Sequence, residues 1–159
     1  MTAVTITIIS ANFDTFISNT NGGAVYLIEC GLFCSSTSFT KCKALVGGAC
    51  FLSLGETQEE NINILFTSTN FTNCQSKYAG AVYLYSHTQQ HSIEIINCRF
   101  NINKAIVSEV LEESDDLLLH GTGGGALVLN IMNGSLENCQ FSQNSGEGQI
   151  KIVNNAAWN

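Results

Sequence analysis

Apolar and polar residues alternate along this chain in short bursts, and the bursts recur. One kind begins with two small residues and continues as an apolar strand. It reads GGAVYL from Gly22, GGACFL from Gly47, AGAVYL from Ala79 and GGALVL from Gly124, with a weaker copy, GQIKIV, from Gly148. A second kind lies upstream of each: an apolar pair, then Ser or Asn, then Phe, then Cys or Asn three residues on. Phe39, Phe71, Phe100 and Phe141 share one frame. Ser36, Ser68, Asn97 and Asn138 stand three before them, and Cys42, Cys74, Asn103 and Asn144 three after. The first copy, around Phe13, Phe16 and Asn19, fits the frame less closely.

Within each burst the alternation has period two, the signature of a strand, and no helical period recurs. The repeat is about 25 to 32 residues long, with one longer unit. A leucine-rich scaffold is missing, and Asn, Ser and Gly corners separate the strands. The pattern predicts an all-β chain, a right-handed parallel β-helix (solenoid) of about five coils. One coil alone cannot bury its apolar face. Stacking at the inter-strand spacing of about 4.8 Å pairs every strand above and below and aligns like residues in columns. Asn97 with Asn138 and Asn103 with Asn144 are expected to form Asn ladders, and Cys42/Cys74 and Cys98/Cys139 to stack likewise.

The weak copy orients the Gly-Gly strand. It places Lys151 in line with Tyr26, Phe51, Tyr83 and Val128, and a lysine does not point into a narrow core. That position therefore faces out. Val25 and Leu27, Cys50 and Leu52, Val82 and Leu84, Leu127 and Leu129, and Ile150 and Ile152 face in. The outward aromatics Tyr26, Phe51 and Tyr83 form a candidate ligand stripe for a sugar ring or a partner chain. Residues 106–122 interrupt the fourth unit as an acidic inserted loop carrying Glu109, Glu112, Glu113, Asp115 and Asp116 beside Leu117, Leu118 and Leu119. Insertions in repeat stacks gather at turns, so this is a candidate interaction loop, with a short helix expected around Ser108 to Glu113. No polar cap is seen at either end, so residues 1–159 read as a single β-helix segment of a longer array, or as an oligomerising one.

Composition narrows the uses of such a stack. Charged residues are 12% of the chain, Pro is absent, and the net charge is −7 with six Lys and Arg scattered singly. That excludes a nucleic-acid partner, which needs clustered basic groups. No run approaches the ~20 apolar residues of a membrane span, and the amino end lacks the basic region of a signal peptide. Seven cysteines, an odd number, exclude a fully paired disulfide framework, and no CxxC pair exists. Buried thiols filling the core are expected.

The pairing of GGA[ILV] with FxxN resembles the repeats of the polymorphic outer membrane protein family. The first motif is intact at Gly22 to Val25 and Gly124 to Leu127. The second is intact at Phe16 to Asn19, Phe100 to Asn103 and Phe141 to Asn144, and departs at Phe39 to Cys42 and Phe71 to Cys74. The resemblance covers nearly the whole chain. It implies a surface-exposed β-helical segment that works as an adhesin, outside the cell, with a carbohydrate or a host or partner protein as its contact. The family's membrane-anchoring β-barrel is not in this segment.

No catalytic residue, cofactor or metal site is expected. Polysaccharide-cleaving β-helices need clustered carboxylates with a basic partner. Asp14, Asp115 and Asp116 are the only Asp residues, and Asp115-Asp116 with His120 belongs to the inserted loop rather than to a strand. His87 and His91 have HxxxH spacing but sit in a polar linker without a third ligand, so an exposed loop is expected there. Asn70-Phe71-Thr72 and Asn133-Gly134-Ser135 are glycosylation sequons, relevant in a eukaryotic secretory protein. The expected function is that of a non-catalytic structural or adhesive segment. The alternative is a polysaccharide-binding or pectate-lyase-like polysaccharide-cleaving β-helix.

Overall fold

The computed structural model describes residues 4–55, 61–106, 124–130 and 133–153. Among these, every regular element is a strand. The chain runs in five passes, each giving one strand to each of three sheets. Pass 1 holds β1 (Thr5–Ile9), β2 (Asn12–Asp14) and β3 (Val25–Ile28). Pass 2 holds β4 (Gly31–Ser35), β5 (Ser38–Thr40) and β6 (Cys50–Leu54). Pass 3 holds β7 (Asn63–Thr67), β8 (Asn70–Thr72), the two-residue β9 (Gln75–Ser76) and β10 (Val82–Ser86). Pass 4 holds β11 (Ser92–Ile96), β12 (Arg99–Asn101), β13 (Lys104–Ala105) and β14 (Gly124–Asn130). Pass 5 holds β15 (Asn133–Glu137), β16 (Gln140–Ser142) and β17 (Gly148–Val153). The sheet orders are β1-β4-β7-β11-β15, β2-β5-β8-β12-β16 and β3-β6-β10-β14-β17, with β9 and β13 as a small fourth pair. Every strand pairing is parallel.

The register follows the two sequence frames. Tyr26 lies beside Phe51, Phe51 beside Tyr83, Tyr83 beside Val128 and Val128 beside Lys151. Phe39, Phe71, Phe100 and Phe141 are likewise neighbours, and Phe13 completes their row. The frame of pass 1 is thus set by Phe13, not by the FxxN reading at Phe16 to Asn19. Phe16 falls three places after the frame, where Cys42, Cys74, Asn103 and Asn144 stand in the other passes. The five Phe rings stack face to face through the core at 4.9, 5.0, 4.8 and 4.7 Å. Around them pack Leu32, Ile64, Phe66, Ile93, Leu84 and Leu129, all buried. The inward residues of the Gly-Gly strands join this core as expected, apart from Ile152, which is exposed on the outermost strand of its sheet.

A three-residue strand must be entered and left by sharp corners. Each pass places one residue at positive φ on either side of its Phe. Before it come Ser10, Ser36, Ser68, Asn97 and Asn138; after it come Thr15, Lys41, Asn73, Ile102 and Gln143. Asn tolerates this region and most other side chains pay for it, so the pairing with the next pass must hold the corner in place. The corner amides do pair: Ser10 N–H donates to Ser35 O, Ser36 to Thr67, Ser68 to Ile96 and Asn97 to Glu137. Asn97 and Asn138 are therefore turn residues whose place is set by φ, not the side-chain ladder their repetition suggested.

The second glycine of each Gly-Gly pair answers to packing. A Cβ on Gly23 would strike Gly48 O, one on Gly48 would strike Gly80 O, and one on Gly80 would strike Gly125 O. The backbone of the following pass lies directly against each glycine, and only hydrogen fits between them.

Candidate functional site: the outer stripe and the corner columns

The stripe exists as a column of rings. Tyr26 stacks on Phe51 at 5.3 Å and Phe51 on Tyr83 at 5.6 Å, the latter pair nearly coplanar in tilt at 2°. It points away from the main core, as Lys151 indicated, yet most of it is closed to solvent. Tyr26 is 51% exposed, whereas Phe51 is 6% and Tyr83 2% exposed. The expectation of three open aromatics is corrected here. Phe51 and Tyr83 belong to a second apolar cluster with Val46, Ala79 and Val128, flanked by Leu45, Tyr78 and Tyr85. Burial pushes the Tyr83 hydroxyl up to about 12, and the Asn130 side chain hydrogen-bonded to it pulls the other way. Residue type along the strand shows which face a side chain takes, but not what lies over that face.

Two further columns, one on each side of the Phe stack, carry short donors whose role the sequence did not show. The first, two residues before Phe, runs Ala11, Thr37, Thr69, Cys98, Cys139. Thr37 donates to Ser35 O (2.9 Å), Thr69 to Thr67 O (3.0 Å), Cys98 to Ile96 O (3.3 Å) and Cys139 to Glu137 O (3.3 Å). Thr69 and Cys139 also reach the preceding pass, at Cys34 O and Ile95 O. The second, three residues after Phe, runs Phe16, Cys42, Cys74, Asn103, Asn144. Each polar member donates to the carbonyl of the preceding pass's Phe: Cys42 to Phe13, Cys74 to Phe39, Asn103 to Phe71 and Asn144 to Phe100. The expected Asn103/Asn144 ladder is present. Asn144 Oδ1 accepts from Asn103 Nδ2 at 3.0 Å and from Asn103 N–H at 2.9 Å.

These contacts explain why Cys replaces Asn in the FxxN frame of passes 2 and 3. The requirement is a small donor at a tight corner, and a thiol meets it more weakly than an amide does. All seven cysteines are free. Burial pushes the Cys34 and Cys50 thiols up, and the sulfur contacts Cys42/Cys74 and Cys98/Cys139, together with burial, push up Cys74 and Cys98. Of the four donor cysteines in the two columns, Cys74 and Cys98 are thus held protonated, whereas the same sulfur contacts push their partners Cys42 and Cys139 down, Cys139 to about 7.

His91 departs from the exposed-loop expectation. It is fully buried, its Nδ1 accepts from Ile62 N–H at 3.1 Å, and its Nε2 lies 3.2 Å from Gly55 O. It ties together the two backbone positions that flank residues 56–61. His87 instead lies edge-on to Tyr85 at 4.7 Å. Among the described residues no group of three or more His, Cys, Asp or Glu is placed to hold a metal ion. The sequon residues Asn70 and Asn133 are exposed, and Asn133 Nδ2 donates to Gln89 O at 2.8 Å. Asp14 is exposed on β2. Glu109, Glu112, Glu113, Asp115, Asp116 and His120, with the helix expected around Ser108 to Glu113, lie outside the described residues. Among the described residues no helix is long and apolar enough to cross a membrane.

The class defined by these observations is an all-β protein of parallel strands in repeated, registered passes. No protein-family model, curated protein or solved structure matches the chain.

Proposed function

We propose that the chain is a right-handed parallel β-helix acting as a rigid, non-catalytic segment of a cell-surface or secreted repeat protein, with adhesion through its lateral face. The observation that carries this reading is the return of the chain through three parallel sheets, five times, in a register that shifts once, between Gly124 and Leu127 of β14. A strand that returns to a parallel neighbour in the same sheet does so by a right-handed crossover in nearly every known case. The short donors of the two columns flanking the Phe stack bond to backbone carbonyls within the stack, as expected of a part whose task is shape and stiffness. The resemblance to polymorphic outer membrane protein repeats supports an extracellular, adhesive setting. It is carried by GGAV at Gly22, GGAL at Gly124 and the FxxN frames at Phe100 and Phe141.

The adhesive contact is a carbohydrate or protein surface, with Tyr26 as the open member of the aromatic column. The test is binding of the folded chain to a glycan panel and to immobilised cell-surface proteins. A specific signal that falls on Tyr26→Ser supports adhesion, and silence on both panels reduces the role to a structural one. Shortening of pectin or alginate by the chain would overturn the non-catalytic reading in favour of a polysaccharide-cleaving β-helix. A crystal structure showing left-handed or unclosed passes would overturn the β-helix itself.

A further inference from the structure

The sequence scatters its six Lys and Arg, and the fold gathers four of them. Lys43 of pass 2, Gln75 of pass 3 and Lys104 of pass 4 are bridged neighbours in one row. Lys41 stands two residues before Lys43, and Lys77 two after Gln75. Backbone bonds tie both into the same stack: Lys41 N–H donates to Thr72 O at 2.9 Å and Lys77 N–H to Leu45 O at 3.0 Å. Cys42, Cys74, Ser76, Asn103 and Ala105 alternate with these residues and are buried, so all four lysines turn outward and are exposed. Lys43 and Lys104 are two inter-strand spacings apart, about 10 Å. Passes 2 to 4 each have a neighbouring pass on both sides, so the strip is a lateral surface and not an end.

The charge of this strip has no counterpart within the described chain. Among the described residues none of the four lysines makes an ion pair, whereas Lys151 is paired with Glu147 at 2.9 Å. Asp14, opposite Thr40 in pass 1, stands diagonal to Lys41. The other described acids lie elsewhere, Glu94 and Glu137 on β11 and β15 and Glu29 between β3 and β4. Lysines set close together repel one another, which stiffness alone does not call for. Neutral groups accompany them. Asn73 and Gln75 present side-chain amides that bond to no described residue. Tyr78, next to Lys77, is half-buried against the cluster of Val46, Phe51 and Tyr83. Cations, open amides and an aromatic face together suit a ligand with anions, hydroxyls and C–H surfaces.

We propose that Lys41, Lys43, Lys77 and Lys104 bind an acidic polysaccharide laid along the stack, its anions on the lysines and its hydroxyls on Asn73 and Gln75. Charge spacing favours this partner over nucleic acid. The strip offers one cationic level per pass, about every 4.8 Å, whereas duplex DNA carries one charge per ~1.7 Å. No arginine stands in the strip to grip phosphate in bidentate fashion. The net charge of −7 also repels a dense polyanion more than a sparse one. A polysaccharide with one carboxylate per sugar is the sparser match. The inference rests on the adhesive reading and gives its partner a chemistry.

The experiment is fluorescence anisotropy of the full chain with labelled oligogalacturonate, beside dextran and single-stranded DNA of equal charge. The expected result is binding to oligogalacturonate that weakens steeply with added salt, and none to dextran. Lys43→Gln, Lys77→Gln and Lys104→Gln should each weaken it about 5-fold, as for one lysine beside an anionic surface, and together abolish it. Arg99→Gln, at an exposed position on β12, should leave it as it is. Far-UV circular dichroism should be the same for all variants. No binding, or binding that survives the triple change in folded protein, overturns the proposal. A glycan signal lost with Tyr26→Ser but indifferent to the lysines overturns the strip and leaves adhesion standing. Tighter binding of the DNA overturns it in favour of a nucleic acid. Binding that appears only when Glu109, Glu112, Glu113, Asp115 and Asp116 are changed to their amides also overturns it, since the lysines then serve the chain's own acids.

Discussion

A Cβ on Gly80 would run into the carbonyl oxygen of Gly125 and come within 2.7 Å of Lys104 N, both backbone atoms of the next pass. Neither can move without disturbing the sheet. Gly80→Ala should therefore cost about 3 kcal/mol, near the upper end for overpacking, seen as a lower urea midpoint. Gly148→Ala is the control. Its nearest neighbour would be Ile150 O at 3.5 Å, so its stability should stay within about 0.5 kcal/mol of the parent. Asn103 presents a different case. Its Oδ1 accepts from Cys74 N–H, and its Nδ2 donates to Phe71 O and to Asn144. Asn103→Ala should cost about 2–3 kcal/mol, because it strands a buried amide and a buried carbonyl. Asn103→Cys should lie between alanine and the parent, since a thiol can serve Phe71 O but accepts from Cys74 N–H only weakly. At this scale the sequence showed which positions repeat, not why. The frame of Ser36, Ser68, Asn97 and Asn138 was legible, but its cause is a positive φ that has no unique residue signature. The recurring Asn-Cys pairs at Asn73-Cys74, Asn97-Cys98 and Asn138-Cys139 were the available clue. Each couples a left-handed corner residue to the donor that follows it.

Among the elements, the Gly-Gly strands were the most legible. Aligning the strands on Lys151 gave their pairing in the apolar stretch, but not the register shift between Gly124 and Leu127 by which the shorter fifth copy comes into line. What the alignment could not show was the second apolar cluster, since Phe51 and Tyr83 are closed off by residues from other parts of the chain, Val46 and Ala79 among them. The burial has a measurable consequence. An ordinary tyrosine ionises near pH ~10 and Tyr83 in the fold at about 12. The folded chain thus holds this proton more tightly than the unfolded chain does. Its contribution to stability is complete below pH ~10 and is lost as the pH climbs to about 12. Urea midpoints should fall across that window, and should fall less in Tyr83→Phe. Pass 1 was the least legible element. Phe13 and Phe16 both suit the frame by type, and Phe13 is singled out only by its place opposite Phe39.

For the whole molecule, each pass touches only the passes on either side, so protection should grade along the stack rather than fall off from a central point. Hydrogen exchange should be slowest for amides of β7, β8 and β10 in pass 3, and faster in the outermost strands of the three sheets. Uniform protection across all five passes would show instead that the stack opens as one cooperative unit.

The donor columns change identity in steps. Thr37 and Thr69 give way to Cys98 and Cys139, and Cys42 and Cys74 to Asn103 and Asn144. In both columns the neighbours across passes 2 and 3 match, and so do those across passes 4 and 5. A side chain here is judged by the residue one pass away, not by those beside it in the chain. Related chains should therefore diverge column by column. An exchange at 74 should find its compensation at 42 or 103, and the coevolving pairs should be spaced by the length of a pass, stretching where a connector is lengthened and otherwise keeping step.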